Sequence, residues 1–252
     1  MALRIRYLAM AGFELVTSHG TKVVIDPILR AGGRHGVPSS PVPIEELDDT
    51  KLVLVSHGAW DHRESAVEIA KRSGASLVCD SGVRQEALRL GLPDERVLNV
   101  VSGCEVRCDD VLVRAVEARH QSFFESGGHW YSAQPLGYVI KTRDDGVVYH
   151  PGDTSLFSDL KLIGELHKPD LAFLGVGGVE YYGRPIVEMH PDEAAIAAGW
   201  LGVKVAIPMH YLPGRGDEER FARECAARHP EITVKIMQLG EVYIFDRRAV
   251  VA

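Results

Sequence analysis

An α/β fold in four layers, two β-sheets packed face to face with helices on both outer surfaces (αββα), is what this chain predicts. Three observations carry the prediction. Strands stand at both ends, two β-rich halves each interleave strands with helices, and no linker, repeat or low-complexity segment divides residues 1–252. The chain therefore reads as one domain, a sandwich with helices outside.

RIRYLAM (4–10), FELVTS (13–18) and KVVIDP (22–27) alternate and are separated by turn material, which predicts an antiparallel meander. Gly, Pro and Ser crowd residues 29–47, a long surface loop. KLVLVS (51–56) is a buried strand, and after HGAWDH a helix runs through 65–74. LVCD (77–80) is a strand, and 81–91 a helix that Gly91, Leu92 and Pro93 terminate. VLNV (97–100), EVRC (105–108) and DVLVRAVEAR (110–119) are strands, the last a long alternating one. Residues 120–134 read as irregular. LGYVIKT (136–142) and GVVYH (146–150) flank the hairpin turn Arg143-Asp144-Asp145-Gly146. Helices near 156–167, 191–201 and 217–228 alternate with strands LAFLGV (171–176) and KVAIPM (204–209). TVKIMQ (233–238) and EVYIFD (241–246) close the chain around Leu239-Gly240.

With 46% hydrophobic and 25% charged residues the composition is that of a globular protein able to bury a sizeable core. A net charge of −7 argues against a nucleic-acid-binding surface. No apolar run reaches the roughly 18 residues of a membrane span, and the N-terminus lacks the apolar block of a signal peptide. Cys79, Cys104, Cys108 and Cys225 are scattered without a second pair to match C-x3-C, so reduced thiols and a cytoplasmic location are expected.

The chemistry lies at strand ends. His57 follows VLVS, with Asp61 and His62 one turn on; His120 follows VRAVEAR; Asp153 follows VVYHPG; His210 follows VAIPM. Each alone reads equally well as a cap or turn residue. Six together, at the carboxyl ends of four strands, are where α/β folds place their sites. Mixed imidazole and carboxylate ligands suit Zn2+ first, with Mn2+ or Fe as alternatives.

The stretches V-S-H-G-A-W-D-H (55–62), A-R-H (118–120), H-P-G-D-T-S-L-F-S-D-L (150–160), M-H-P-D-E-A-A (189–195) and I-P-M-H-Y (207–211) carry a family likeness. On them the chain resembles metallo-β-lactamase-fold hydrolases and is similar to their ascorbate-6-phosphate lactonase-like branch. The likeness runs from residue 4 to residue 246. It implies a first metal position using His57, residue 59 and His120, and a second using Asp61, His62 and His210, with Asp153 bridging. It also implies an aspartate like Asp26 near the metals, oriented toward a ligand histidine, although an Asp before Pro27 is equally a turn residue. The implied reaction is metal-dependent hydrolysis of a small ester, lactone or phosphodiester by an activated hydroxide, with Asp61 and Asp153 as catalytic carboxylates.

Ala59 departs from that pattern, because a methyl group binds no metal. One resolution leaves a single ion on Asp61, His62, Asp153 and His210, with one or two ions overall. A second fills the gap from elsewhere: His190, at the start of the helix before Pro191, is the first candidate, and His35 and His129 are others. A third makes His57, His120 and Asp153 a two-His, one-carboxylate face for a non-haem iron oxygenase, which leaves Asp61, His62 and His210 unexplained. A fourth is an inactive binding domain of the same fold, although decay would erode several ligands and only one has gone.

Residues 121–137 are the most aromatic stretch and follow His120 directly. Trp60, His129, Trp130, Tyr182, Arg184 and Tyr211 are therefore the expected pocket residues, suited to a small, partly apolar substrate with an anionic or carbonyl group. Phe123 and Phe124 read as core. No nucleic acid or membrane partner is expected, and a homo-oligomer is compatible with the sequence.

Overall fold

The computed structural model describes residues 2–249. The chain opens with the antiparallel meander β1 (Leu3–Ala9), β2 (Gly12–Val16) and β3 (Lys22–Ile25). β4 (Leu52–Leu54) adds to it in parallel and leads through α1 (Trp60–Arg63) and α2 (Ala66–Ser73) to β5 (Ser76–Cys79). Helix α3 (Ser81–Arg89) starts at Asp80, whose carboxylate accepts the Val83 N–H at 2.8 Å, a side-chain N-cap. β6 (Val97–Asn99) completes this edge.

β7 (Glu105–Cys108) and β8 (Val111–Glu117) begin the second sheet. A hairpin of β9 (Ser122–Ser126) and β10 (His129–Ala133) follows, then β11 (Leu136–Thr142) and β12 (Val147–His150). After α4 (Asp159–His167) come β13 (Leu171–Gly175) and a second hairpin, β14 (Gly178–Tyr181) with β15 (Arg184–Val187). Helix α5 (Pro191–Leu201), β16 (Val205–Met209), α6 (Asp217–Arg228), β17 (Thr233–Val234) and β18 (Val242–Phe245) close the chain. The sheet orders are β18-β1-β2-β3-β4-β5-β6 and β17-β16-β13-β12-β11-β8-β7.

Period-two alternation explains the layers. Val23 and Ile25 on β3, Leu52 and Leu54 on β4, and Leu171 and Phe173 on β13 point between the sheets and form one core. Their neighbours Val24 and Val53 face α2 and α3, where they meet Ile69 and Val83. Ala172 and Leu174 face α4, α5 and α6, where they meet Leu160, Ala194 and Phe221. Central strands buried on both faces read as continuous apolar runs. The αββα architecture follows.

Three expectations are corrected. Residues 120–134 are not irregular, since Gly127 and Gly128, both at positive φ, turn β9 into β10. Residues 178–187 form a hairpin that the sequence reading did not contain. The two closing strands do not pair: β17 joins the second sheet beside β16 and β18 the first beside β1, with Leu239-Gly240 crossing between them. All four cysteines are free thiols, in keeping with the expected reduced state.

Topology gathers the strand ends. β8 and β12 each run antiparallel to β11 and hence parallel to each other, while β12, β13 and β16 are parallel neighbours. Their carboxyl ends deliver His120, Asp153 and His210 to one edge of the sandwich. The first sheet's β3 and β4 deliver Asp26 and His57 opposite them. Tyr138 on β11 reaches across to donate to the Val55 carbonyl at 2.7 Å, tying the sheets together just before His57.

Candidate metal centre

Two backbone details let the strand ends meet. Gly152 has φ +64, and a Cβ there would lie 2.6 Å from the Ser56 Cβ and 2.8 Å from the Leu136 carbonyl, so only glycine brings Asp153 against the His57 loop. A Cβ on Gly58 would fall 1.9 Å from the Phe124 ring, which packs the β9–β10 hairpin over that loop.

Asp26 is fully buried and its carboxylate accepts three hydrogen bonds. The Ser56 N–H donates at 2.7 Å, the Ser56 hydroxyl at 2.7 Å and His62 Nδ1–H at 2.9 Å. With its own proton committed to Asp26, the Ser56 oxygen accepts from His57 Nδ1–H at 2.9 Å. Both imidazoles are thereby held through Nδ1 with Nε2 facing the site; His57 keeps a free lone pair there, whereas Asp153 and Asp26 hold His62 protonated until an ion displaces its proton. Those two Nε2 atoms are buried and make no hydrogen bond. A buried lone pair without a donor is costly unless a cation takes it, and orienting carboxylates of this kind accompany metal-binding histidines.

The acceptors converge on one carboxylate. Asp153 Oδ2 lies 3.1 Å from His62 Nε2, 3.2 Å from His210 Nε2 and 3.8 Å from His57 Nε2. Asp61 Oδ2 is 3.3 Å from His210 Nε2. Three sets bring their donor atoms within 4.8 Å of one another: His57, His62 and Asp153; Asp61, His62 and His210; and His120, Asp153 and Glu188. The six histidines and aspartates expected from the strand ends are therefore together, and the donor set fits a divalent cation.

Electrostatics agree. Burial and repulsion from His62 push His57 down to about 3, so it stands neutral and ligand-ready. Burial would also lower His210, but Asp153, the Asp61 hydrogen bond and Glu188 outweigh it and hold it up at about 9. Burial opposes the Asp153 charge too, yet His210 and His62 draw it well below the usual carboxylate range. At pH 7 the metal-free His210 is thus protonated, and an ion that takes its lone pair must displace that proton. Calorimetric titration of Zn2+ at pH 7 in buffers of different ionisation enthalpy should show proton release. Affinity should climb as pH approaches 9 and weaken below it; pH-independent binding would contradict this assignment.

His190 does not fill the gap at residue 59. It is exposed at the first boundary of α5, where its backbone N–H donates to Glu193 at 2.9 Å, and it belongs to none of the three sets. Nor does His35, which bonds the Glu180 carbonyl at 3.1 Å beside Tyr181, nor His129, exposed on β10. The residue that sequence reasoning missed is Glu188, two positions before His190. His57, His120 and Asp153 do not form a compact trio of their own, since His57 groups with His62 and Asp153 while His120 groups with Asp153 and Glu188, and this weakens the oxygenase arrangement. His150 of the H-P-G-D motif is structural: it donates from Nε2 to the Ala11 carbonyl at 2.8 Å and accepts the Gly152 N–H on Nδ1 at 3.1 Å.

A cavity of about 480 Å³ opens over these residues, with Ala59, Asp61, His120, Asp153, Glu188 and His210 in its lining. Trp60 and Trp130 line its walls as expected, with Phe123, Phe124, Tyr181 and Ile186. Phe123 stacks on Trp130 at 5.0 Å and is 56% exposed, so it is rim rather than core. Four expected pocket residues lie elsewhere, His129 being exposed on β10 outside the lining. Tyr182 occupies the β14–β15 turn at φ +51 and is fully exposed, Arg184 points to solvent beside it, and Tyr211 is buried against a separate cavity with Tyr7 and Met10. Two arginines line the cavity: Arg63 is paired with Glu86, while the Arg34 guanidinium lies 4.3 Å over the Trp60 ring. Arg34 belonged to a loop that reads only as Gly- and Pro-rich.

Comparison with known proteins agrees with this geometry. The family profile described as Beta-lactamase superfamily domain matches residues 21–211. A UPF0173 metal-dependent hydrolase of Rubrobacter xylanophilus is 37% identical over 94% of this chain and 95% of its own length. One from Methanopyrus kandleri is 38% identical over 96% and 99%. In fold, the chain is similar to Igni18, a metallo hydrolase of Ignicoccus hospitalis, with a TM-score of 0.76 at 23% identity over 98% and 99% of the two chains. With the profile spanning most of the sequence and relatives above 30% identity along nearly all of it, the chain belongs to the metallo-β-lactamase superfamily, among the UPF0173 metal-dependent hydrolases.

Proposed function

We propose that this protein hydrolyses a small ester, lactone or phosphodiester bearing an anionic group, using an ion held by Asp61, His62, Asp153 and His210. The observation that carries the reading is the convergence of His62 and His210 on Asp153 at 3.1 and 3.2 Å, with Asp61 alongside. Zn2+ is the first candidate, with Mn2+ or Fe behind it. When bound, the ion supplies a nucleophile by lowering the pKa of water to about 7 and polarises the carbonyl or phosphoryl oxygen under attack.

The chain's own groups do the rest. Asp61 and Asp153 are acceptors facing the cavity, placed to orient the attacking water by its hydrogens. Asp26, through His62 and Ser56, holds both imidazoles by Nδ1 so that their Nε2 atoms face the cavity. The aromatic walls exclude bulk water from the substrate, which strengthens each charge interaction inside. Arg34 makes no ion pair among the described residues and, braced on Trp60, is the group to receive a carboxylate or phosphate.

Chelator-treated protein, reloaded with Zn2+, Mn2+ or Fe2+, should regain hydrolysis of one class in a panel of esters, lactones and phosphodiesters. Oxygen consumption with no member of the panel hydrolysed would overturn the reading. For the acidic substrate so found, Arg34→Ala should raise KM by about 10–100-fold, the worth of one charge-assisted contact, with kcat little changed. An unaltered KM would remove Arg34 from the binding site.

A further inference from the structure

The gap left by Ala59 coincides with an unexplained carboxylate. Glu188 follows β15, and the chain directly after it is held by Met189, 1% exposed, and by Pro191 at the start of α5. Its side chain is 16% exposed and makes no side-chain hydrogen bond or Lys or Arg ion pair among the described residues. It shares the cavity wall with Ala59, His120 and Asp153, and its carboxylate groups with His120 and Asp153 to within 4.8 Å. Asp153 and Glu188 flank His210, at 3.2 Å from Nε2 and 3.7 Å from Nδ1, and together with His120 they make a mixed imidazole and carboxylate donor set of the kind that suits a divalent cation.

We propose that Glu188 supplies the ligand that Ala59 lacks, so that His120, Asp153 and Glu188 hold a first ion, with Asp153 shared with the second position and the His57 ring edge-on to His120 at 4.9 Å. The inference rests on the reading of Asp61, His62, Asp153 and His210 as the second position, but does not decide it. Exchanging an imidazole for a carboxylate preserves the number of ligands and adds a negative charge. Asp61, Asp153 and Glu188 then give the pair of positions three carboxylates, a harder set that favours Mn2+ or Fe2+ over Zn2+ more than an all-histidine first position would.

One competing role must be separated. Glu188 Oε2 is 3.7 Å from His210 Nδ1, which sets against this a role for Glu188 as the partner that orients His210. That distance is beyond a hydrogen bond, whereas the orienting contact from Asp26 to His62 measures 2.9 Å.

Metal-free protein titrated with Mn2+, with free ion counted by electron paramagnetic resonance, distinguishes the cases. Wild type should bind two ions. Glu188→Ala should retain one and weaken the other by more than about 100-fold, beyond the 10–100-fold that loss of an orienting partner brings. Glu188→Gln, which keeps the shape, should weaken the same ion by at least about tenfold and guards against misfolding, checked by circular dichroism. Ala59→His in the Glu188→Ala background should restore the second ion, which no change in His210 orientation would do. The inference is overturned if Glu188→Ala and Glu188→Gln bind as wild type does, or if Ala59→His restores nothing. Wild type that binds no divalent ion would sink the functional reading itself, whereas one unaltered ion in both proteins would sink only the role of Glu188.

Discussion

Replacing His210 by alanine should strip the metal and lower kcat/KM by on the order of 10³-fold. His210 Nε2 sits 3.2 Å from Asp153 and 3.3 Å from Asp61, closer to the pair than His62, whose Nε2 is 3.1 Å from Asp153 but 4.0 Å from Asp61. Its backbone is equally committed: φ is +53 and its N–H donates to the Met10 carbonyl at 3.0 Å, which aims the ring inward. Without the ring, Asp61, Asp153 and Glu188 face one another, and the remaining donors are too few for tight binding. His57→Ala should be far milder in metal content, because Nε2 of His57 is 3.8 Å from Asp153 and His57 is not among the four residues of the second position. Metal analysis of both variants, with the substrate class identified above, checks the order. Loss of metal in His57→Ala but not in His210→Ala would reverse the assignment.

The second large effect falls on stability. Asp26→Ala should destabilise the metal-free protein by about 3–5 kcal/mol, the range for breaking a buried, charge-assisted network. Three donors lose their acceptor at once: Ser56 N–H, the Ser56 hydroxyl and His62 Nδ1–H. Residue 26 also has φ +43, a left-handed conformation that aspartate tolerates better than alanine, which adds roughly 1 kcal/mol. Asp26→Asn should unfold less readily but weaken metal binding by about 10–100-fold, since its amide no longer specifies the Nδ1–H tautomer of His62. Denaturant unfolding of chelated protein tests the first expectation, and a loss under 1 kcal/mol would contradict it.

Much of this site is legible in the sequence because ligands at strand ends are local features. VLVSH, VAIPMH and VVYHPGD each show a buried strand followed at once by a donor, and the four layers follow from alternation along apolar runs such as KLVLVS. What escaped depends on contacts between distant segments. The β9–β10 hairpin turns on Gly127-Gly128, a recognisable signal, but its strands are half exposed and mix aromatics with polar residues, so no clean period appears. Glu188 carries no local mark at all. Its meaning comes from β14 and β15 folding over the cavity, and a search limited to histidines settled on His190, whose side chain the helix start turns to solvent. Arg34 was hidden likewise, since only the packing of the 29–47 loop on Trp60 makes it part of the wall.

The ligands come from both sheets, His57, Asp61 and His62 from one and His120, Asp153 and His210 from the other. A bound ion is therefore a rivet through the sandwich, closing chain loops that run from residue 57 to residue 210. It would link the two sheets as a disulfide would, but reversibly and in proportion to supply. Because such an ion binds the folded chain alone, it adds about 2.7 kcal/mol at a free concentration a hundred times its Kd. The protein's melting temperature is in that sense a gauge of the metal around it.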